Sequence, residues 1–296
     1  MDIRNIKLEK PLEYNNQFAL DFLYKLNLEQ LEAYKKIEGL PEPPLELNIP
    51  KSQIMLKDFI GRVIEEISEG YESLIELTDY LHSIGWNMNL ADPSELVPSL
   101  QNANEEQADA LGFFLTLLIY SNIQPEDIVN YIDSKAPQGM VDNLDSDLND
   151  LDKAMAYGIY LLKYELNSID AITTKSLTFN AMHLYRVVNK ESLDQRSYKN
   201  VPLFNYLNPE VLRAERELLW IITYQLNISR NLLKNRSWKL TQVMTKEIEY
   251  QESLVKAFLL YLGYLGTNLG DNTYKELVEL FYLKQQLNIW RQQTNY

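Results

Sequence analysis

Apolar residues recur at three- and four-residue spacing along almost the whole chain. No segment shows the strict alternation of a half-buried strand, so the pattern predicts helices throughout. Phe18, Phe22, Leu26, Ala33 and Ile37 share one side of a first helix over Asn15 to Ile37. Pro41-Glu42-Pro43-Pro44 breaks it, and extended loop follows to Pro50. A long helix is predicted from Lys51 to about Ile84, with a possible bend at Gly70. Asn87 to Gln101 has loop composition with a short helix near Pro93, and an apolar helix runs from Asn104 to Ser121. Gln124-Pro125-Glu126-Asp127 has the composition of a helix start, giving a short helix to Ser134. Further helices are predicted at Leu151–Leu166, Ile169–Asn189, Pro209–Leu233, Lys239–Leu265 and Asn272–Trp290.

Composition agrees with this pattern. The 296 residues include only 10 Gly and 11 Pro, too few for a turn-rich β sandwich or barrel. An apolar fraction of 46% with 24% charged residues supports a sizeable core and excludes wholesale disorder. There is no cysteine, which removes disulfides, Cys-ligated zinc, iron–sulfur clusters and thiol nucleophiles. Only His82 and His183 are present, so multi-His metal sites are not expected. The net charge of −14 argues against nucleic acid as a partner, because the backbone phosphates would be repelled. A phosphate compound would need a divalent cation as mediator. The start, Met1-Asp2-Ile3-Arg4-Asn5, lacks an apolar run behind it, and Ala110 to Tyr120 is too short to span a bilayer. The expectation is a soluble, cytoplasmic protein without a membrane partner.

Two carboxylate pairs stand out. Glu66 and Glu69 are separated by three residues, as are Glu106 and Asp109. In a helix such residues project from one face. Each pair borders an apolar stripe: Phe59, Val63 and Ile67 for the first, Leu111, Phe114, Leu115 and Leu118 for the second. If the two helices pack together, four carboxylates converge. Like charges so placed call for a cation, and hard oxygen ligands select Mg²⁺, Mn²⁺ or Ca²⁺. Taken alone, either pair reads as a solvated helix face. The acidic run with Asp142, Asp145, Asp147, Asp150 and Asp152 lacks the central Gly and closing Glu of an EF-hand, so it is expected to be a loop or a helix cap. Near the C-terminus Lys284, Asn288 and Arg291 lie at i, i+4 and i+7, one helix face suited to phosphate and sugar oxygens. By composition alone this is a basic helix end favoured by the dipole.

The segment Arg62-Val-Ile-Glu-Glu-Ile-Ser-Glu69-Gly-Tyr-Glu72, followed by Glu106-Gln-Ala-Asp109-Ala-Leu-Gly-Phe-Phe-Leu, resembles the metal helices of the all-α nucleoside triphosphate pyrophosphohydrolases. This is the MazG and dimeric dUTPase superfamily. Gly112 stands where the family often has His. The ending Lys284-x-x-x-Asn288-x-x-Arg291-Gln292-x-x-x-Tyr296 is similar to that of phage dCTPase/dUTPase enzymes, with Asn295 in place of Gly. The resemblance implies Mg²⁺ ligation by Glu66, Glu69, Glu106 and Asp109, with two or more ions and Mn²⁺ as a substitute. It implies contact of Lys284, Asn288 and Arg291 with the triphosphate or sugar. The implied reaction is hydrolysis of a deoxynucleoside triphosphate, dUTP or dCTP, to the monophosphate and pyrophosphate. A phage origin would place it in the host cytoplasm. Gln30 and Trp86 are the candidates for base contacts, against plain packing roles for both.

The expected architecture is therefore all-α: a helical bundle with carboxylate pairs on two adjacent helices and a large helical insert. Residues 1–135 form the catalytic core, 136–271 an insert or degenerate second repeat, and 272–296 the helix that closes the site. Ala110 to Lys135 and Ala257 to Lys284 look like two copies of a helical hairpin, with Lys256 near the place of Asp109. The resemblance implies a homodimer, or a single chain imitating one if that repeat is a duplication. The alternatives are a catalytically inactive acidic interaction protein of the same fold, and a pyrophosphohydrolase for purine or modified nucleotides.

Overall fold

The computed structural model describes residues 19–85, 90, 92–137, 148–166, 209–236, 243–269 and 273–294. The predicted helix at Ile169–Asn189, His183, Trp86, Asp142, Asp145, Asp147, Asn295 and Tyr296 lie outside the described residues. Within them the protein is all-α, with no strand. The helices are α1 Ala19–Glu38, α2 Pro50–Ser83, α3 Pro93–Tyr120, α4 Pro125–Lys135, α5 Asp150–Leu166, α6 Pro209–Leu232, α7 Glu247–Leu269 and α8 Thr273–Thr294. None of these is long and apolar enough to cross a membrane.

The stripe residues predicted from sequence are the ones that close the core. Val63 and Ile67 on α2, and Leu111, Phe114, Leu115 and Leu118 on α3, are all buried. Each such side chain contributes about 1.5–3 kcal/mol by leaving water. The two helices run antiparallel. Near one end the Asp92 amide donates to the Tyr80 hydroxyl at 2.6 Å, and in the middle Asn102 donates to Ser73 Oγ at 2.8 Å. Towards the other end the Phe59 ring lies 6.4 Å from Phe113 and 5.5 Å from Tyr120. Gly70 lets the pair approach closely: a Cβ there would stand 3.1 Å from Gln107 Nε2 and 3.4 Å from Glu106 Cβ.

Two boundaries differ from the prediction. The loop expected over Asn87 to Gln101 is, from Pro93 onward, the first part of one 28-residue helix, α3. Asp92 caps it by accepting from the Ser94 amide at 2.9 Å, and Pro93 sits at the first position, where its missing N–H costs nothing. The polar run at 101–104 is carried on the helix because Asn102 finds Ser73 across the pair. The helix expected from Lys239 instead begins at Glu247. Side chains hold residues 243–245 in another path. Asn235 pairs with both backbone groups of Val243, at 2.8 and 3.1 Å, and Thr245 donates to the Leu232 carbonyl at 3.1 Å. At the end of the acidic run, Asp150 and Asp152 act as helix caps. Asp150 Oδ1 accepts from the Leu20 and Leu151 amides, while Asn149 and Asp152 cap each other at 2.8 Å.

In the C-terminal half α7 packs most extensively against α5, runs antiparallel to α6, and touches α3. Tyr261 stacks on Phe114 at 5.0 Å between them. α5 crosses α7 at Gly158 and Gly263, where backbones touch: a Cβ on Gly158 would fall 1.9 Å from the Leu259 carbonyl oxygen. α8 lies across α1 and α3 and reaches the mid-helix carboxylates of α3.

Candidate metal centre and cavity

The i, i+3 spacing delivers what it promised on three of four carboxylates. α2 presents Glu66 and Glu69 towards α3, which presents Glu106. One oxygen of each lies within 4.8 Å of the others. Glu66 and Glu106 are half-buried and Glu69 is exposed, so the cluster opens to solvent on one side. Asp109 is held differently. Its Oδ2 lies 3.0 Å from Lys284 Nζ, and its Oδ1 accepts from Asn288 Nδ2 at 3.2 Å. Lys284 also pairs with Glu105 at 2.9 Å and is only 3% exposed. Glu105 was not singled out from the sequence. Its place directly before Glu106 puts it on a different helix face, and only the α8 lysine makes it part of the site.

The electrostatics follow from this geometry. Burial pushes the Glu66 carboxyl up to about 8, helped by its hydrogen bond with Glu106 and by the charges of Asp109, Glu106 and Glu69. Glu106 is raised as well, chiefly by burial and then by Asp109, against the lowering effects of its Glu66 hydrogen bond and of Lys284. Burial works against the Lys284 charge, but Asp109 and Glu105 outweigh it and raise the ammonium above its ordinary value. Three carboxylates with oxygens converging within 4.8 Å fit a hard divalent ion, which prefers oxygen ligands and leaves room for water. The residues present thus suit Mg²⁺ or Mn²⁺.

Beside Glu66 and Asp109 lies a cavity of about 260 Å³. α1 supplies Asn27, Gln30 and Tyr34 to its wall, α2 supplies Phe59, α3 supplies Phe113 and Thr116, and α8 supplies Gln285 and Asn288. Gln30, a candidate from the sequence, is thus on the wall. Asn27 is tied to α3: its amide lies 2.9 Å from Thr116 Oγ1 and, with its nitrogen towards Gly112, donates to that carbonyl at 3.2 Å. Gln285 is 3% exposed, and its Oε1 has no partner among the described residues. A buried acceptor left so costs about 1–3 kcal/mol unless a ligand or water meets it. Gly112 helps to shape the space. A Cβ there would stand 3.6 Å from Gln285 Nε2 and 3.8 Å from Asn27 Oδ1, so a larger side chain would project between the two amides.

Asn27 and Gln285 were missed in the sequence, though a signal existed. Asn27 is three residues before Gln30, and Gln285 three before Asn288, so each shares a helix face with a residue that was named. Arg291, three residues beyond Asn288, is half-buried in the last turn of α8. Tyr261 fixes the turn of α3 that carries the carboxylates. Its hydroxyl, kept protonated by burial and by the charges of Asp109 and Glu66, donates to the Gln107 carbonyl at 2.7 Å and to Gln107 Oε1 at 2.9 Å.

Between α6 and α7 the polar contacts are neutral. Gln225 donates to Ser253 Oγ at 3.0 Å, and Ser229 and Ser253 hydroxyls lie 2.8 Å apart. Lys256 is engaged with Glu165 of α5 at 2.6 Å. This cluster satisfies itself and has no use for a cation.

No known protein family, curated protein or solved structure matches the chain.

Proposed function

We propose that this protein hydrolyses a pyrimidine deoxynucleoside triphosphate, dUTP or dCTP, to the monophosphate and pyrophosphate with Mg²⁺. The observation that carries the reading is the juxtaposition of the Glu66, Glu69 and Glu106 oxygens with an amide-lined cavity, bridged by Asp109 and the buried Lys284. An acidic cluster attracts a triphosphate only through a cation, and the amides and aromatic rings on the cavity walls away from Glu66 and Asp109 suit an uncharged base.

In this reading Glu66, Glu69 and Glu106 hold Mg²⁺, which when bound neutralises phosphate charge and makes a water more acidic. A triad oxygen left free takes the proton of the attacking water. The water adds to phosphorus, the bridge between the α and β phosphates breaks, and pyrophosphate leaves. Lys284, Asn288 and Arg291 line the phosphate and sugar side on α8. Asn27, Gln30 and Gln285 offer donors and acceptors to the base edge, with Phe59 and Phe113 on the apolar side of the cavity.

The test is pyrophosphate release from a panel of dNTPs and NTPs, in Mg²⁺ and in EDTA. The expected result is Mg²⁺-dependent release from dUTP, dCTP or both. Release from purine nucleotides alone would discard the pyrimidine assignment and keep the reaction. Release from none would leave an acidic interaction protein of this fold.

A further inference from the structure

The four acidic residues expected to share metal ions do not stand alike. Glu66, Glu69 and Glu106 turn oxygens to one point, all within 4.8 Å of one another. Ligand oxygens around Mg²⁺ or Mn²⁺ lie about 3–4 Å apart, so a small rotamer change closes this triad on an ion. Both Asp109 oxygens are already engaged. Lys284 holds Oδ2 at 3.0 Å and Asn288 donates to Oδ1 at 3.2 Å. The same ammonium binds Glu105 at 2.9 Å, so two of its three donors are spent on carboxylates. Lys284 cannot drift away by a helix movement, because Phe281 and Leu287, on either side of it along α8, are buried. A second dication on this side would have to sit against a buried positive charge. Gln285, 3% exposed and with its Oε1 unpartnered among the described residues, lines the same cavity as Glu66 and Asp109.

We infer that Lys284 is a built-in counter-cation that occupies the Asp109–Glu105 side of the site, so that the nucleotide-free protein binds one divalent ion, at Glu66, Glu69 and Glu106, and not two. This rests on the metal-dependent reading of the site given above. Triphosphate oxygens would compete with Asp109 for the lysine ammonium and so free that carboxylate for a second ion. Asp109 is then a ligand of the loaded site alone, and Asn288 keeps it aimed while it waits.

The experiment is a titration with Mn²⁺ alone, without nucleotide, counting bound ions per chain by the loss of the free Mn²⁺ electron paramagnetic resonance signal. Wild type is expected to bind one ion. Lys284→Met is expected to bind two, because Glu105 and Asp109 are then unpaired and free to ligate. Thermal melts read the same event. Mn²⁺ should raise the melting temperature of Lys284→Met by more than that of wild type. If Lys284→Met folds only with metal, the number of Mn²⁺ ions per chain needed to restore the helical circular dichroism gives the count. Lys284→Gln keeps one hydrogen bond to Asp109 without the charge, and is expected to bind a second, weaker ion. Two ions on wild type, none on wild type, or one on both variants would overturn the inference. Its failure is distinct from that of the proposed reaction: one ion on wild type with no pyrophosphate release leaves the inference standing, and hydrolysis by a protein that binds two ions removes the inference alone.

Discussion

Glu66 is placed between two demands: it must ionise to hold a cation, yet it is half-buried among Glu69, Glu106 and Asp109. Its folded-state value of about 8 lies above the ordinary 4.5, so the fold prefers the protonated acid. The linkage has a definite sign. The stability Glu66 contributes is complete below pH 4.5 and is lost as pH rises through about 8. Melting temperature in EDTA should therefore fall between these limits, and saturating Mg²⁺ should remove much of the fall by compensating the ionised form. Glu66→Gln in EDTA should show a shallower slope, and an unchanged slope would remove Glu66 as its source. Asn288 belongs to the same scale. It does not sit in the triad but aims Asp109, and such outer partners are commonly worth 10–100-fold in metal affinity or activity. Asn288→Ala should lower kcat/KM by about that factor while leaving the circular dichroism intact. Glu69→Ala should abolish turnover outright. The residues named from spacing were the ones with an i, i+3 partner of their own kind. Glu105 was not legible, since only a lysine 179 positions away gives it a role.

At the scale of the helix, the apolar period fixed which faces meet, and side-chain hydrogen bonds decided where elements begin. The period read the α2–α3 stripe correctly. It missed the joining of 93–103 to α3, because the Asn102–Ser73 bond repays a polar turn only once α2 is alongside. It extended α7 too far upstream, because Asn235 and the Leu232 carbonyl, both outside that segment, bind Val243 and Thr245 and hold the connection in another path. Two helical glycines test this level. Gly158 sits where a Cβ would meet backbone at 1.9 Å, so Gly158→Ala should force α5 off α7 and lower stability by about 1–3 kcal/mol, measured by urea unfolding. Gly112 has only ordinary contacts at 3.6 Å and beyond, and Gly costs about 1 kcal/mol against Ala inside a helix. Gly112→Ala should keep or raise stability. Gly112→Leu should fill the cavity and raise KM for the nucleotide, and an unchanged KM would detach the cavity from substrate binding.

Across the whole molecule, the cavity walls are drawn mainly from α1, α2, α3 and α8, and the three converging carboxylates from α2 and α3. Between α6 and α7, Gln225, Ser229 and Ser253 are bonded to one another, with no carboxylate among them. In the sequence-based idea of a chain that imitates a dimer, one half keeps the acids. The faint hairpin similarity could not establish it, because Leu-rich hairpins resemble one another by composition. The pairing of Lys256 with Glu165 became visible only once α5 lay beside α7. Turnover per chain should then be constant as the protein is diluted through any dissociation seen by light scattering, and a loss that tracks dissociation would mean that a second copy completes the site. The most direct measurement of the central claim is phosphorus NMR of dUTP and dCTP incubated with the protein. The account predicts monophosphate and pyrophosphate in equal amounts, in Mg²⁺ but not in EDTA, and none with Glu69→Ala. Orthophosphate as the product, or turnover that survives EDTA or the loss of Glu69, would contradict it.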